Sequence, residues 1–255
     1  MSANTRNKYI IVILAAAAIA VSSCDLILMQ HQESFSRSYS AEGIARVTVA
    51  NIDGDITIRS TSSTSSIEVS GTKYGTTRAV LDEINIIAGT DITGSGTLAI
   101  TAVYQGYDGK VDFSVTVPPG TIVETSGSSG RVHVTGDVTL QRVRQDGGSV
   151  LIQDVSSAGN IRTSNADITI RRVETLGDIT TEHGSIRADL NRVSAHRSIT
   201  AYRGNVRISA ARDLNARVIT TVSGSGTATN TAITAGGPYR VEVKATRGDI
   251  TIRNP

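Results

Sequence analysis

Short runs of alternating apolar and polar residues recur along the second half of the chain at a nearly constant spacing. The first aliphatic residues of these runs stand at positions 132, 150, 168, 186 and 206, in steps of 18, 18, 18 and 20 residues. Apolar residues two positions apart, such as Ile168 and Ile170, predict a β-strand with one face turned inward. Val173 and Ile179 follow five and eleven positions after Ile168. Each repeat is therefore predicted to contain more than one short strand.

Glycine stands just before many of these runs, at the predicted corners between strands. One column of corners is formed by Gly130, Gly148, Gly184 and Gly204, with Ala166 at the equivalent place in the intervening repeat. Glycine suits a sharp corner because it adopts a positive φ without a clash at Cβ. A single repeat cannot bury its aliphatic face, whereas stacked repeats bury it between parallel strands.

The predicted fold is therefore all-β, a parallel β-solenoid of three-sided coils with about 18–20 residues each. The step of 20 residues and the uneven spacing of the strands favour a right-handed coil, as does the crossover rule. A left-handed helix of six-residue repeats would also produce an 18-residue coil. A β-sandwich is the other alternative, although it predicts no columns of equivalent residues.

Residues 44–127 are predicted to form an N-terminal β region that contains a first coil and an excursion, ahead of the regular repeats of residues 128–255. Apolar residues alternate with polar ones at Val47, Val49, Ile56, Ile58, Ile67 and Val69. Asp108-Gly109 predicts a β-hairpin that joins residues 98–104 to residues 111–117. Only residues 78–84 have the pattern of a helical turn.

The junction between the two regions resembles that of a known family. A strand ends in Val117-Pro118-Pro119-Gly120 and leads, through Ser126-Gly127-Ser128-Ser129-Gly130, into the repeated coils. Over residues 44–255 this pattern is similar to the uncharacterised β-strand-repeat family of exported bacterial and archaeal proteins that carries a candidate-adhesin label. The resemblance implies a solenoid and a role in the cell envelope, and it supplies no catalytic or binding residues.

The beginning of the chain has the pattern of a lipoprotein signal peptide over residues 1–23. Arg6 and Lys8 precede an unbroken apolar run of 12 residues from position 10 to position 21. This length suits an export signal and is short for a membrane span. The following Val21-Ser22-Ser23-Cys24 resembles a bacterial lipobox, which implies lipidation of Cys24, the only cysteine. An ordinary signal peptide followed by a chance cysteine is the alternative.

Residues 24–43 are polar and are predicted to be a tether that holds the folded part away from the bilayer. Packing of residues 27–29 and Phe35 back onto the domain is the alternative. The protein is therefore expected in the cell envelope, anchored to a membrane outside the cytoplasm. If the host is Gram-negative, Asp25 directly after the cysteine resembles a signal for the inner membrane facing the periplasm.

Charge is unevenly distributed, although 25 Lys and Arg nearly balance 23 Asp and Glu. Residues 128–255 contain 16 Arg and one Lys against 11 Asp and Glu, a net charge of +6, while residues 1–127 carry a net charge of −4. Guanidinium groups bind carboxylates and phosphates in bidentate geometry. The expected partner is therefore a polyanion or a protein of the envelope, and no nucleic acid.

Three arginines are the predicted polyanion-binding residues. Alternation turns Arg187 and Arg207 outward, because Ile186 and Val206 beside them face inward. Arg171 lies just past the end of a predicted strand. The alternative is that these charges only keep an outward face soluble and protect strand edges.

No motif in the sequence predicts a catalytic, metal or cofactor site. Ser70-Gly71-Thr72-Lys73 matches the Ser-x-x-Lys motif of penicillin-interacting enzymes, but it closes a predicted strand and lacks the accompanying motifs. The segment 51–55 lacks the later ligands of a calcium loop. The four histidines have no short spacing, and one cysteine cannot form a cluster.

These observations favour a non-enzymatic, lipid-anchored protein whose solenoid is a structural or adhesin-like interaction module. A polysaccharide-acting enzyme remains the first alternative, with Asp146 and Glu182 two coils, or ~9.6 Å, apart and Ser164 between them. Against it, Tyr202 and Tyr239 are the only aromatic side chains of residues 128–255 apart from histidine. A sensor or accessory subunit of a membrane system is the second alternative.

Overall fold

Most of the described chain is β-strand. The structure is a computed structural model that describes residues 31–62, 64–90, 96–106 and 108–255. Its first part contains one short helix, α1 (Arg78–Glu83). The strands of this part are β1 (His31–Ser40), β2 (Arg46–Asn51), β3 (Ile56–Ser60), β4 (Ser66–Gly75), β5 (Asn85–Thr90), β6 (Thr97–Val103) and β7 (Gly109–Val117). The predicted all-β class is confirmed.

The strands of the regular coils follow. The central ones are β8 (Thr121–Gly127), β9 (Arg131–Thr135), β10 (Val138–Gln153), β11 (Ser157–Arg171), β12 (Thr175–Leu176), β13 (Ile179–His183), β14 (Ile186–Leu190), β15 (Arg197–Arg203) and β16 (Val206–Ala210). The last four are β17 (Ala216–Val222), β18 (Ala228–Asn230), β19 (Tyr239–Arg247) and β20 (Ile250–Arg253). The coil formed by β12, β13 and β14 has three strands, one for each side.

Successive coils stack in parallel register. Val150 pairs with Ile168, Ile168 with Ile186, and Ile186 with Val206. All four side chains are buried, and together with their equivalents they form one continuous aliphatic core. The stack buries the face that a single coil would leave in water. The predicted parallel β-solenoid is confirmed.

Both ends of the stack depart from chain order. At one end, the coil β2–β3 lies between the coil β6–β7 and the coil β8–β9, because β2 pairs with β6 and β8 while β3 pairs with β7 and β9. At the other end, β19–β20 lies between β15–β16 and β17–β18. The first and last coils of the sequence are therefore covered on both sides by other coils.

The excursion between β3 and β8 adds antiparallel pairs to one end of the stack. Strand β4 pairs with β1 and β7, and β5 forms a hairpin with β6. Helix α1 occupies the predicted helical turn, with its N-terminus capped by the Thr77 hydroxyl, which accepts a hydrogen bond from the backbone N–H of Val80. Leu81 buries the helix against the core.

The predicted hairpin at Asp108-Gly109 is wrong. The strands on either side of it, β6 and β7, pair with β2 and β3 and therefore form two successive sides of one coil. A two-residue type I′ hairpin needs positive φ at both central residues, and Gly109 has no positive φ. Asp-Gly here marks a corner of the solenoid, which uses the same turn residues as a hairpin.

Part of the predicted tether belongs to the folded domain. Residues 31–40 form β1 and pair along their whole length with β4. Phe35 contacts Phe113 edge to face, with 5.8 Å between the ring centroids. Residues 31–40 therefore pack back onto the domain, as the alternative interpretation of this segment predicts. Cys24 and the predicted signal peptide lie outside the described residues.

Within the described ranges, no helix is long and apolar enough to cross a membrane.

Candidate polyanion-binding face

The predicted corner glycines stack directly on one another. Gly130, Gly148, Gly184 and Gly204 all have positive φ, and each lies beside a carbonyl group of the preceding coil. A Cβ atom on Gly148 would lie 1.9 Å from the carbonyl oxygen of Gly130, and one on Gly204 would lie 2.0 Å from that of Gly184. No side chain fits at such distances. The close stacking of these corners therefore requires glycine at these positions.

Polar side chains next to these corners hold adjacent coils together. Each accepts a hydrogen bond from a backbone N–H of a neighbouring coil. These bonds join Asp55 to Arg131, Asp167 to Ser185, Asn205 to Asp249 and Asp249 to Thr227, with N–O distances of 2.7–2.9 Å. These Asp and Asn side chains, each directly after a corner residue, are therefore structural caps.

Arg187 and Arg207 are brought together on the face that follows this corner. They pair directly in the parallel ladder, flanked by Thr169 in the coil before and Thr251 in the coil after. Both side chains are exposed, while Ile186 beside Arg187 is buried. Alternation along the strand thus places the two guanidinium groups on the same outward row, in adjacent coils.

These arginines line a surface groove, which we call the basic groove. The basic groove has a volume of about 610 Å³, and its lining includes Arg187, Asp189, Arg207, Thr251 and Arg253. The sequence did not indicate that Arg253 lies near Arg207. The structure pairs Arg253 with Ser209, which is 44 positions earlier in the chain, because β20 stacks on β16. The only signal for Arg253 in the sequence was its place at the end of Gly248-Asp249-Ile250-Thr251-Ile252-Arg253, which repeats residues 54–59.

The groove carries an excess of positive charge. Among the described residues, none of the guanidinium groups of Arg187, Arg207 and Arg253 lies within 4.0 Å of a carboxylate oxygen. Asp189 is the only acidic side chain among the lining residues. The groove therefore presents three arginines whose bidentate donor pairs are not already engaged by acidic side chains.

Asp249 lies at the corner beside this groove. The backbone N–H and the hydroxyl of Thr227, and more weakly the charge of Arg207, hold the pKa of its carboxyl below the usual range. The Asp249 carboxylate is therefore charged at neutral pH, and its hydrogen bonds tie it to the adjacent coil.

Arg171 lies apart from the basic groove. It occupies the same row as Asp189 of the next coil, since Ile170 pairs with Ala188, and it is not among the residues that line the groove. The neighbouring Arg172 is engaged in a bidentate pair with Asp154, at 2.5 Å and 2.7 Å. Of the three arginines predicted to bind a polyanion, Arg171 is therefore the one that does not line the basic groove.

The carboxylates considered for catalysis are separated by a hydroxyl side chain. Ser164 lies between Asp146 and Glu182 in the stack, and its Oγ donates to Asp146 at 3.4 Å. Within the described part of the chain, no group of three or more His, Cys, Asp or Glu side chains could share a metal ion.

Comparisons with known proteins address the fold and the family. No curated protein matches the chain. A solved candidate adhesin from Parabacteroides merdae is 14% identical, with a TM-score of 0.42, and the alignment covers 88% of this chain and 96% of that one. A candidate lipid-binding protein from Parabacteroides distasonis is 15% identical, with a TM-score of 0.42 and coverage of 89% and 97%. A candidate cell-adhesion protein from Clostridium sporogenes is 9% identical, with a TM-score of 0.40 and coverage of 88% and 100%.

The family comparison extends over the regular coils. The model described as Toastrack DUF4097 matches residues 105–253, which is more than half of the chain. The matched segment begins just before β7 and includes the corner glycines and both arginines of the paired row. The resemblance found in the sequence is thereby confirmed, and the chain belongs to the Toastrack DUF4097 family.

Proposed function

We propose that this protein is a lipid-anchored component of the cell envelope whose solenoid is a non-catalytic interaction module for anionic envelope polymers. The lipobox-like segment before Cys24 supports the anchor. The basic groove supports the partner class.

The pairing of Arg187 with Arg207 is the observation that carries the proposal. Neighbouring parallel strands are ~4.8 Å apart, so two positive side chains are held side by side on one row. Like charges directly opposite each other on a sheet are unfavourable. An anionic polymer with repeated carboxylate or phosphate groups would offset this repulsion and use both guanidinium groups.

Removing the two paired charges tests this proposal. The double variant Arg187→Gln, Arg207→Gln should elute from an immobilised polyphosphate column at a clearly lower salt concentration than the unchanged protein, with unchanged thermal unfolding. Salt weakens such binding because the Debye length falls from ~10 Å at 0.1 M to ~3 Å at 1 M.

A matched control removes the same net charge elsewhere. Arg212 and Arg217 are also exposed, and neither lines the basic groove. Their double replacement by Gln should leave elution close to that of the unchanged protein. Equal elution of all three proteins would mean that the arginines serve solubility only.

Replacement of Cys24 by Ala tests the anchor. Without the thiol no thioether-linked lipid can form, and several acyl chains at ~0.8 kcal/mol per buried CH₂ are what make such anchoring stable. The variant should remain unprocessed or leave the membrane fraction. If it fractionates and migrates as the unchanged protein does, the lipobox interpretation is wrong.

The interposed Ser164 supports the non-catalytic part of the proposal. A pair of glycosidase carboxylates needs the sugar bond between them, whereas here Ser164 stands between Asp146 and Glu182 and donates to Asp146. Measurable cleavage of an acidic polysaccharide that is lost in Glu182→Gln would support the enzyme alternative.

A further inference from the structure

A second groove lies on the face that precedes the glycine corner, and we call it the tyrosine groove. It has a volume of about 540 Å³ and is lined by Arg162, Thr180, Glu182, His183, Tyr202 and Arg203. This volume lies within the usual range for small-molecule sites. The groove spans three successive coils, because its residues come from β11, β13 and β15.

Tyr202 presents an aromatic ring to solvent within this groove. It is 51% exposed, although Ala201 beside it is buried. The pairs Thr181–Ala201 and His183–Arg203 place Tyr202 in register with Glu182 of the preceding coil. The ring therefore stands on the outward row with a carboxylate next to it, and its exposure is set by the strand alternation.

Two arginines, Arg162 and Arg203, line the same groove as the tyrosine ring. The Nη1 of Arg203 lies 3.1 Å from the Nε2 of His183, and this contact helps to orient the guanidinium group of Arg203. Arg162 pairs with Thr180 in the ladder. Among the described residues, neither guanidinium lies within 4.0 Å of a carboxylate oxygen, although Glu182 lines the same groove.

We propose that the tyrosine groove binds an oligosaccharide whose sugars carry carboxylate groups. The C–H face of a sugar ring packs against the face of an aromatic ring, whose π-system is negative at its centre. Arg162 or Arg203 pairs with the sugar carboxylate. The Glu182 carboxylate accepts hydrogen bonds from the sugar hydroxyl groups, and the Thr180 hydroxyl donates to them or accepts from them. An inorganic polyanion lacks these hydroxyl groups.

This proposal does not rest on the basic groove. The two grooves lie on faces separated by the glycine corner at Gly184 and Gly204, and the sets of lining residues do not overlap. A ring-shaped ligand distinguishes them, because the described lining of the basic groove contains no aromatic side chain.

Titration with trigalacturonate tests the proposal, using the full-length protein in a neutral detergent and calorimetry or NMR as the readout. Tyr202→Ala should weaken binding at least tenfold, and Tyr202→Phe should retain it, because the ring face is kept. Arg203→Gln should weaken binding, while Arg212→Gln with Arg217→Gln, which removes two exposed arginines that line neither groove, should leave it unchanged. Thermal unfolding of Tyr202→Ala should match that of the unchanged protein, since the ring is half exposed.

Matched ligands complete the test. Neutral galactotriose should bind at least tenfold more weakly than trigalacturonate, and polyphosphate should bind Tyr202→Ala as well as it binds the unchanged protein. Absence of trigalacturonate binding, or equal binding by the unchanged protein and Tyr202→Ala, would overturn the proposal. If only the double variant Arg187→Gln, Arg207→Gln loses polyphosphate binding, that loss reports on the basic groove. It does not contradict the proposal for the tyrosine groove.

Discussion

Replacing Ile168 by Asp is expected to lower the free energy of unfolding by more than ~4 kcal/mol, because it buries a carboxylate without a partner. Ile168 is 1% exposed and stacks between Val150 and Ile186 in the aliphatic core. Neither neighbour can donate a hydrogen bond from its side chain. Urea unfolding followed by circular dichroism measures the loss, and failure to give a cooperative transition would agree with it.

Thr169→Asp is the matched control for this substitution. Thr169 is the next residue of the same strand, but it faces outward and pairs with Arg187 of the following coil. A carboxylate there stays in water beside a positive charge, so the change should remain within about 0.5 kcal/mol. Equal losses for the two variants would contradict the register of β11 and the inward direction of Ile168.

Replacing Gly148 by Ala is expected to destabilise the protein by about 3 kcal/mol or more. Gly148 has a φ of +97°, which costs a residue with a Cβ about 1–2 kcal/mol. In addition, the new Cβ would lie 1.9 Å from the carbonyl oxygen of Gly130, so the stacked backbones must move apart. Thermal and urea unfolding measure the combined effect.

Gly120→Ala separates the two contributions. Gly120 also has a positive φ, +76°, but a Cβ there would meet no atom within 4 Å. Only the backbone term applies, and the expected loss is about 1–2 kcal/mol. If Gly148→Ala costs no more than Gly120→Ala, close stacking of the corner column contributes little to stability.

The position of the paired arginines could be predicted from the sequence, but the composition of the basic groove could not. Alternation beside Ile186 and Val206 was enough to turn Arg187 and Arg207 outward, and the repeat was enough to put them in adjacent coils. Arg253 joins them only because β20 stacks on β16. In the same way, Tyr202 is recognisable as outward-facing, whereas its groove requires side chains from three coils.

The amino-acid pattern alone was enough to predict the repeating coil, the inward and outward faces of its strands and the glycine corners. These features are local, since they depend on alternation within one strand and on the backbone freedom of single residues.

The order in which the coils stack became visible only in the three-dimensional structure. The coil β6–β7 lies against β2–β3, and the coil β19–β20 lies between β15–β16 and β17–β18. Tertiary structure also decided that β6 and β7 share a coil and that β1 joins the fold. The physical reason is that every coil offers a similar aliphatic face and similar backbone ladders. The periodic pattern therefore identifies the coils without specifying the neighbours of each one.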